Sequence, residues 1–313
     1  GYVGKPAEAG TDVFAMDYGN ASSTSDIATY DSGFPVDFSI RRQPATAQSW
    51  YAGSRLTGIN SVLTDTNGAE VGDSNLTWDR NDGVGKWSGD LSSYLMWMWK
   101  RHTGFDVVTW TGNGVHGRKI PHSLNNTAQM LWIKRRSGVN AWATGHIGLN
   151  GGTNPWNYYV GINETSQETD DDGMFADTAP TSTHFTTGAH SQVNSSGEKY
   201  IAMLFASSNN ADGDPISKVG YYAGSNSDQT ITTGFQPRFL IIKNTGHSNK
   251  PWLVLDTTRG WASGDDQRLF LNDTSENSTG MDAGQPTSTG FTVTGGDSVW
   301  NSSSYNFIYY AHA

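Results

Sequence analysis

The sequence predicts an all-β protein made of three tandem antiparallel β-sandwich modules of jelly-roll type, on three observations. The first is composition. In 313 residues there are 37 Gly, a charged fraction of only 16% and 12% aromatic residues, which describes short strands between polar turns rather than charged amphipathic helices. The second is the stretch Gly234 to Gly260, where Phe239-Leu240-Ile241-Ile242-Lys243 and Trp252-Leu253-Val254-Leu255 are apolar runs separated by the turn Asn244 to Lys250. Runs of that length and composition, bounded by turn formers, read as buried strands. The third is that weaker copies of this stretch occur twice upstream, and a repeat of domain length sets the architecture.

Taken in order, each unit opens on a strand ending in an aromatic residue and glycine: Tyr2-Val3-Gly4, Val107 to Gly112, and Val219 to Gly224. A polar loop leads to the organising strand, which carries a basic residue four places after its first large apolar one: Phe38 with Arg42, Met130 with Lys134, Phe239 with Lys243. Trp50, Trp142 and Trp252 follow, and then glycine turns at Gly58, Gly151 and Gly260. Further on, Asn163-Glu164-Thr165-Ser166 answers Asn272-Asp273-Thr274-Ser275, whereas Leu63 to Trp87 of the first unit keeps the polar, glycine-rich character without the residues. Closing strands start at Tyr94, Tyr200 and Phe307. The expected modules are therefore 1–104, the most divergent, then 105–217 and 218–313. Six or seven short strands per unit suit a two-layer sandwich. The organising and closing strands are apolar on both faces, so they are expected to be covered on one side by the second sheet and on the other by a neighbouring unit or subunit.

Several function classes are excluded or disfavoured. A net charge of −10 with no basic stretch repels polyanions, so nucleic acid is not an expected partner. The absence of Cys removes thiolate catalysis and Cys-ligated zinc. No apolar run reaches membrane-spanning length, so membrane insertion is not expected either. The sequence contains no Gly-x-Ser-x-Gly elbow, phosphate loop or His-Glu-x-x-His motif. A glycosidase needs only two carboxylates, for which Asp256 and Asp79 are candidates, though Asp256 reads first as the partner of Arg259 in a strand-end turn.

Repeated positions argue for structure. Arg42, Lys134 and Lys243 are read as strand-end cations whose stems lie along the sheet, and Trp50, Trp142 and Trp252 as core. Binding is sought where the units differ. Trp156, flanked by Asn154, Asn157 and Tyr158, combines a ring face with amides in the way that sugar sites do. Trp78, Trp87, Trp261 and Trp300 are similar non-repeated rings, and packing between units is the competing reading for each. Glu168, Asp170, Asp171 and Asp172 before Gly173 suggest a calcium site or a solvated loop, with Asp79, Asn81 and Asp82 as a second candidate. No cofactor is otherwise expected.

The aligned repeats resemble a family found in tail-fibre-like and other virion proteins of marine and environmental phages. The residues that carry the resemblance are Tyr222-Ala223-Gly224, Thr233 to Phe239, Lys243, Trp252 to Arg259, Gly290-Phe291 and Tyr309-Tyr310-Ala311. The second unit keeps Trp110 to Gly114, Lys134 and Trp142 but has Gly145-His146-Ile147-Gly148 where the third has its Asp-x-x-Arg step. The resemblance implies a virion surface location, attachment to a host-cell glycan or receptor, contacts with other virion proteins and a homo-oligomer such as a trimer. It implies no catalytic site. A capsid decoration or assembly protein without ligand, and a polysaccharide depolymerase, are the alternatives.

Overall fold

The computed structural model describes residues 9–21, 27–86 and 89–313. Tyr2-Val3-Gly4 and Trp87 lie outside the described residues. The protein is all-β, with several antiparallel sheets. Among the described residues the one α-helix is the single turn Asp172–Phe175, and no helix is long and apolar enough to cross a membrane.

Three large sheets make the frame, and each repeats one strand order. In the first unit the strands run Phe14–Tyr18, Leu95–Trp99, Phe38–Arg42, Tyr51–Ser54, continuing to Asn60–Leu63 and Val71–Gly72. In the second they run Phe105–Thr111, Lys199–Phe205, Met130–Arg135, Ala143–His146. The third places Pro215–Ala223, Asn306–His312, Phe239–Asn244, Trp252–Asp256 in the same order. The closing strand thus lies between the opening and organising strands in every unit. The opening strand of the first unit is Phe14–Tyr18, whose Phe14 pairs with Trp99 as Phe105 pairs with Phe205.

Alternation along these strands decides what each face buries. Phe38, Ile40, Trp97 and Trp99 point inward, into one core shared with Met130, Trp132, Met203 and Phe205 of the second sheet and Phe239, Ile241, Ile308 and Tyr310 of the third. Trp99 sits where the three meet. Its ring lies 4.9 Å from Phe14, 6.4 Å from Phe205 and 5.6 Å from Phe239, and its Nε1 donates to the Tyr310 hydroxyl at 3.4 Å. The alternate residues point outward and are covered by small sheets. Tyr30–Asp31, Gly83–Lys86 and Leu76–Thr77 cover the first unit. Arg118–Pro121 with His184–Thr187 cover the second. Gln229–Thr232, Gly290–Val293 and Pro286–Thr287 cover the third. The inner faces of the three large sheets merge in one core, and the strands apolar on both sides find their second cover within the same chain.

The seams between units close in a ring. Trp142 donates from Nε1 to the Leu63 carbonyl of the first unit at 2.9 Å, Trp252 to Gly161 of the second at 2.8 Å, and Trp50 to Phe270 of the third at 2.9 Å. The backbone repeats the pattern: Asn140 N–H reaches Asn67 O, Lys250 reaches Thr165 O, and Gln48 reaches Thr274 O. Each of those Trp residues takes its own backbone N–H to a side chain at 2.8 Å, that of Asp65, Asn163 or Asn272. Asp65-Thr66-Asn67 is thus the first unit's counterpart of Asn163-Glu164-Thr165, although only the hydrogen-bonding role survives. The repeated cations serve the same seams. Arg42 donates to the carbonyls of Asp273, Thr274 and Ser275, and Lys134 to those of Asn67 and Arg135. Burial pulls Lys134 down to about 8 and Lys243 to about 7, the latter opposed by the charge of Glu168 across the seam.

One local requirement explains the glycines that end the opening strands. A Cβ at Gly112 would stand 2.0 Å from the Ser195 carbonyl oxygen and one at Gly224 2.2 Å from that of Ser302. Gly19 meets Leu91 O at 2.6 Å in the same way, so only glycine lets the backbones approach.

Three imidazoles are enclosed by this packing. Burial holds His102, His146 and His312 down to about 3, against the ordinary value near 6.5. The unfolded chain then binds protons at these sites between about pH 6.5 and 3 while the folded chain does not, so stability falls with acidification across that window. Asp266, raised by burial to about 6, works in the opposite direction, as do Asp17, Asp37 and Glu168, which burial also raises, so they offset part of this loss. The melting temperature is expected to drop steadily from pH 7 to pH 4, and His146→Gln, which keeps a donor for the Tyr309 carbonyl, is expected to flatten the slope.

Candidate functional site

The rings singled out from the sequence are core residues. Trp156, Trp78, Trp261 and Trp300 are between 1% and 6% exposed. Trp156 packs edge-on against Phe175, while Trp78, Trp261 and Trp300 donate from Nε1 to the carbonyls of Gly58, Gly284 and Thr294. Each of the four rings packs in the outer core of its own unit, which is neither an open sugar face nor the packing between units that was the competing expectation. Asn154 remains exposed, in a left-handed turn, with Asn157 and Tyr158 half-buried beside it.

The acidic run is dispersed among separate duties. Glu168 accepts from Asn150 N–H at 2.6 Å and faces Thr245 across the seam; Asp171 caps the helical turn through Gly173 N–H at 2.8 Å; Asp170 is paired in register with Tyr158; Asp172 is exposed. In the second candidate, Asp82 is held by Arg80 at 2.9 Å. Among the described residues no group of three or more His, Asp or Glu is placed to hold a metal ion. Glu168, Asp170, Asp171 and Asp172 are therefore placed separately rather than converging on one point. Asp256 is likewise occupied, fully buried against Arg259 at 2.6 Å with Trp97 Nε1 at 3.1 Å, which makes it a strand-end ion pair rather than an accessible acid.

A different site stands out on the outer face of the first sheet. Arg41 follows Ile40 in the organising strand, so alternation turns it outward, into the layer where the second and third units place Ile133 and Ile242. A guanidinium thus takes the place of an apolar core residue. Arg41 Nη2 bonds Asp73 Oδ2 at 2.8 Å, and Lys86, from the covering sheet, bonds Asp73 Oδ1 at 2.6 Å and the Ser74 carbonyl at 2.9 Å. Arg41, Lys86 and Asp73 are only 5%, 6% and 7% exposed. The guanidinium is stacked between two rings, with Tyr51 at 5.1 Å and Tyr94 at 5.5 Å. These residues, with Gln48, Ser49 and Leu91, line an open cavity of about 320 Å³.

The cluster carries two cations and one carboxylate, a net positive charge in a protein of net charge −10. A buried charge is tolerated only with a counter-charge or a well-formed set of hydrogen bonds. Asp73 supplies the one negative charge for both cations and accepts from Arg41 Nη2. The Tyr30 hydroxyl is buried beside this group, where the Arg41 guanidinium interacts with it. Chemically, the site is suited to holding an anionic group. A second opening of similar volume, lined by Asp228, Gln229, Asp282 and Gln285, has no cation, and its two carboxylates accept from the N–H groups of Gly295 and Gly284.

Arg41, Asp73 and Lys86 are not among the residues the sequence points to, yet a signal was present. Position 41 directly precedes the repeated basic residue, and it is isoleucine in the other two copies. A charge at a repeat position that is otherwise apolar marks a place where the scaffold has been departed from.

The fold and this site define an all-β protein of three large antiparallel sheets around one core, with a cation pocket on the outer face of the first. The chain belongs to the family described as "Domain of unknown function (DUF7483)", which matches residues 41–313. No curated protein and no solved structure matches it.

Proposed function

We propose that the chain is a non-enzymatic attachment module of a phage virion, part of a tail fibre or surface appendage that engages a glycan on the host surface. One observation carries the reading. The repeated polar and aromatic residues are spent on cores and seams, while an open, charged pocket occurs on the one repeat that breaks the pattern. A rigid closed scaffold bearing one divergent pocket suits recognition rather than turnover. Neighbouring virion proteins are the proposed structural partners. A homotrimer loses one of its supports, because the strands apolar on both faces are covered by the chain's own repeats. Mass spectrometry of gradient-purified particles is expected to recover the chain in the particle fraction, and purified protein is expected to label cells of the host. Recovery from the lysate supernatant alone, with no cell labelling, would contradict the proposal.

A further inference from the structure

We infer that the Arg41 pocket is a binding site for the carboxylate of an acidic saccharide. The inference rests on the attachment reading and specifies the chemistry of its ligand. Arg41 and Lys86 share a single carboxylate, Asp73, so the pocket holds an excess positive charge at residues that are more than nine-tenths buried. An incoming carboxylate supplies the missing counter-charge and accepts charge-assisted hydrogen bonds from a guanidinium that already spends one donor on Asp73. The surrounding wall is built for a sugar more than for a simple ion. It offers the aromatic surfaces of Tyr51 and Tyr94, the Gln48 amide, which already bonds Tyr94 Oη at 3.2 Å, and the Ser49 hydroxyl, which donates to Asp65 at 2.9 Å and can still accept. A cavity of about 320 Å³ has room for one ring with its acid group. The remainder of the protein is acidic, so a long polyanion is repelled and the attraction stays local.

The second and third repeats act as internal controls. They carry Ile133 and Ile242 where the first carries Arg41, and Ala143 and Leu253 where it carries Tyr51. The inference confines the site to the first repeat.

The test is calorimetric titration of the full chain at low salt with sialyl-lactose and trigalacturonate, against lactose and galactotriose as neutral counterparts. Hexaglutamate and inorganic phosphate serve as other sources of negative charge. The acidic saccharides are expected to bind at least about tenfold more tightly than the neutral ones, with the gap narrowing as salt is raised. Arg41→Ile, with its fold verified by circular dichroism, is expected to abolish the preference. Equal affinity for acidic and neutral saccharides would overturn the inference while leaving attachment standing. Hexaglutamate or phosphate binding as tightly as the saccharides would overturn it as well. Should Arg41→Ile fail to fold, the comparison on the unaltered protein still decides, and Gln48→Ala then reports whether the same pocket is used. Failure of every saccharide to bind, together with absence of the chain from particles, would remove the attachment reading too.

Discussion

Trp252→Ala is expected to lower the free energy of unfolding by about 3–5 kcal/mol, read from the shift in denaturant midpoint at constant slope. The indole is 1% exposed and lies in the core shared by all three sheets, so its removal leaves a cavity that three rigid sheets cannot collapse to fill. It also frees the Gly161 carbonyl at the seam with the second unit, and a buried acceptor left without its donor costs about 1–3 kcal/mol. Trp252→Phe separates the two effects. It keeps most of the volume, so its smaller loss reads mainly the seam bond. Because Trp50 and Trp142 occupy the same place in the other units, with the same bond across their own seams, truncating either is expected to cost a comparable amount. A loss confined to Trp252, with Trp50→Ala and Trp142→Ala silent, would mean that the ring of seams is not the common support.

Asp256→Asn is expected to destabilise the protein by about 3–5 kcal/mol, because it leaves Arg259 as an unpaired buried cation. Both side chains are completely enclosed and 2.6 Å apart. Arg259 is held further by the carbonyls of Val254 and Gln267, and its guanidinium lies 5.7 Å from the Trp97 ring of the first unit. Asp256 Oδ1 also caps the turn Thr257–Arg259 by accepting from Arg259 N–H at 2.9 Å. The pair therefore joins a turn, a strand end and a seam. The double change Asp256→Leu with Arg259→Met is expected to lose less than the single change, since replacing both charges by apolar groups of similar size removes the desolvation cost along with the attraction. Equal losses for the single and double changes would show that shape, and not charge pairing, is what the site requires.

The sequence made the repeat legible wherever repeated residues perform repeated work. Phe38, Met130 and Phe239, the three strand-end cations and the three seam tryptophans are recognisable because the same physical demand recurs at the same step. The Asp256 and Arg259 pairing was legible for a related reason, an acid and a base three residues apart in a strand-end turn. What remained hidden were relations between units. A strand such as Lys199–Phe205, apolar on both faces, shows that something covers it and does not show what, so separate sandwiches and a shared core read alike. Asp65-Thr66-Asn67 escaped because the seam needs one side-chain acceptor and a backbone carbonyl, which Asp meets as well as Asn. The non-repeated Trp residues misled for the opposite reason. Lack of repetition suggested function, whereas the outer cores of the three units are simply filled by different rings, Trp78 in one, Trp156 in another, Trp261 and Trp300 in the third. Of the cation pocket the sequence showed only Arg41 against two isoleucines, since nothing in the chain order ties it to Asp73 and Lys86, which lie 32 and 45 residues away.

The central claim is that the three repeats fold as one body because their inner faces form a single core. Differential scanning calorimetry of the whole chain tests it directly. A shared core predicts one transition whose calorimetric enthalpy equals the van't Hoff enthalpy. Three separable transitions, or a calorimetric enthalpy about three times the van't Hoff value, would show independent sandwiches and contradict the account.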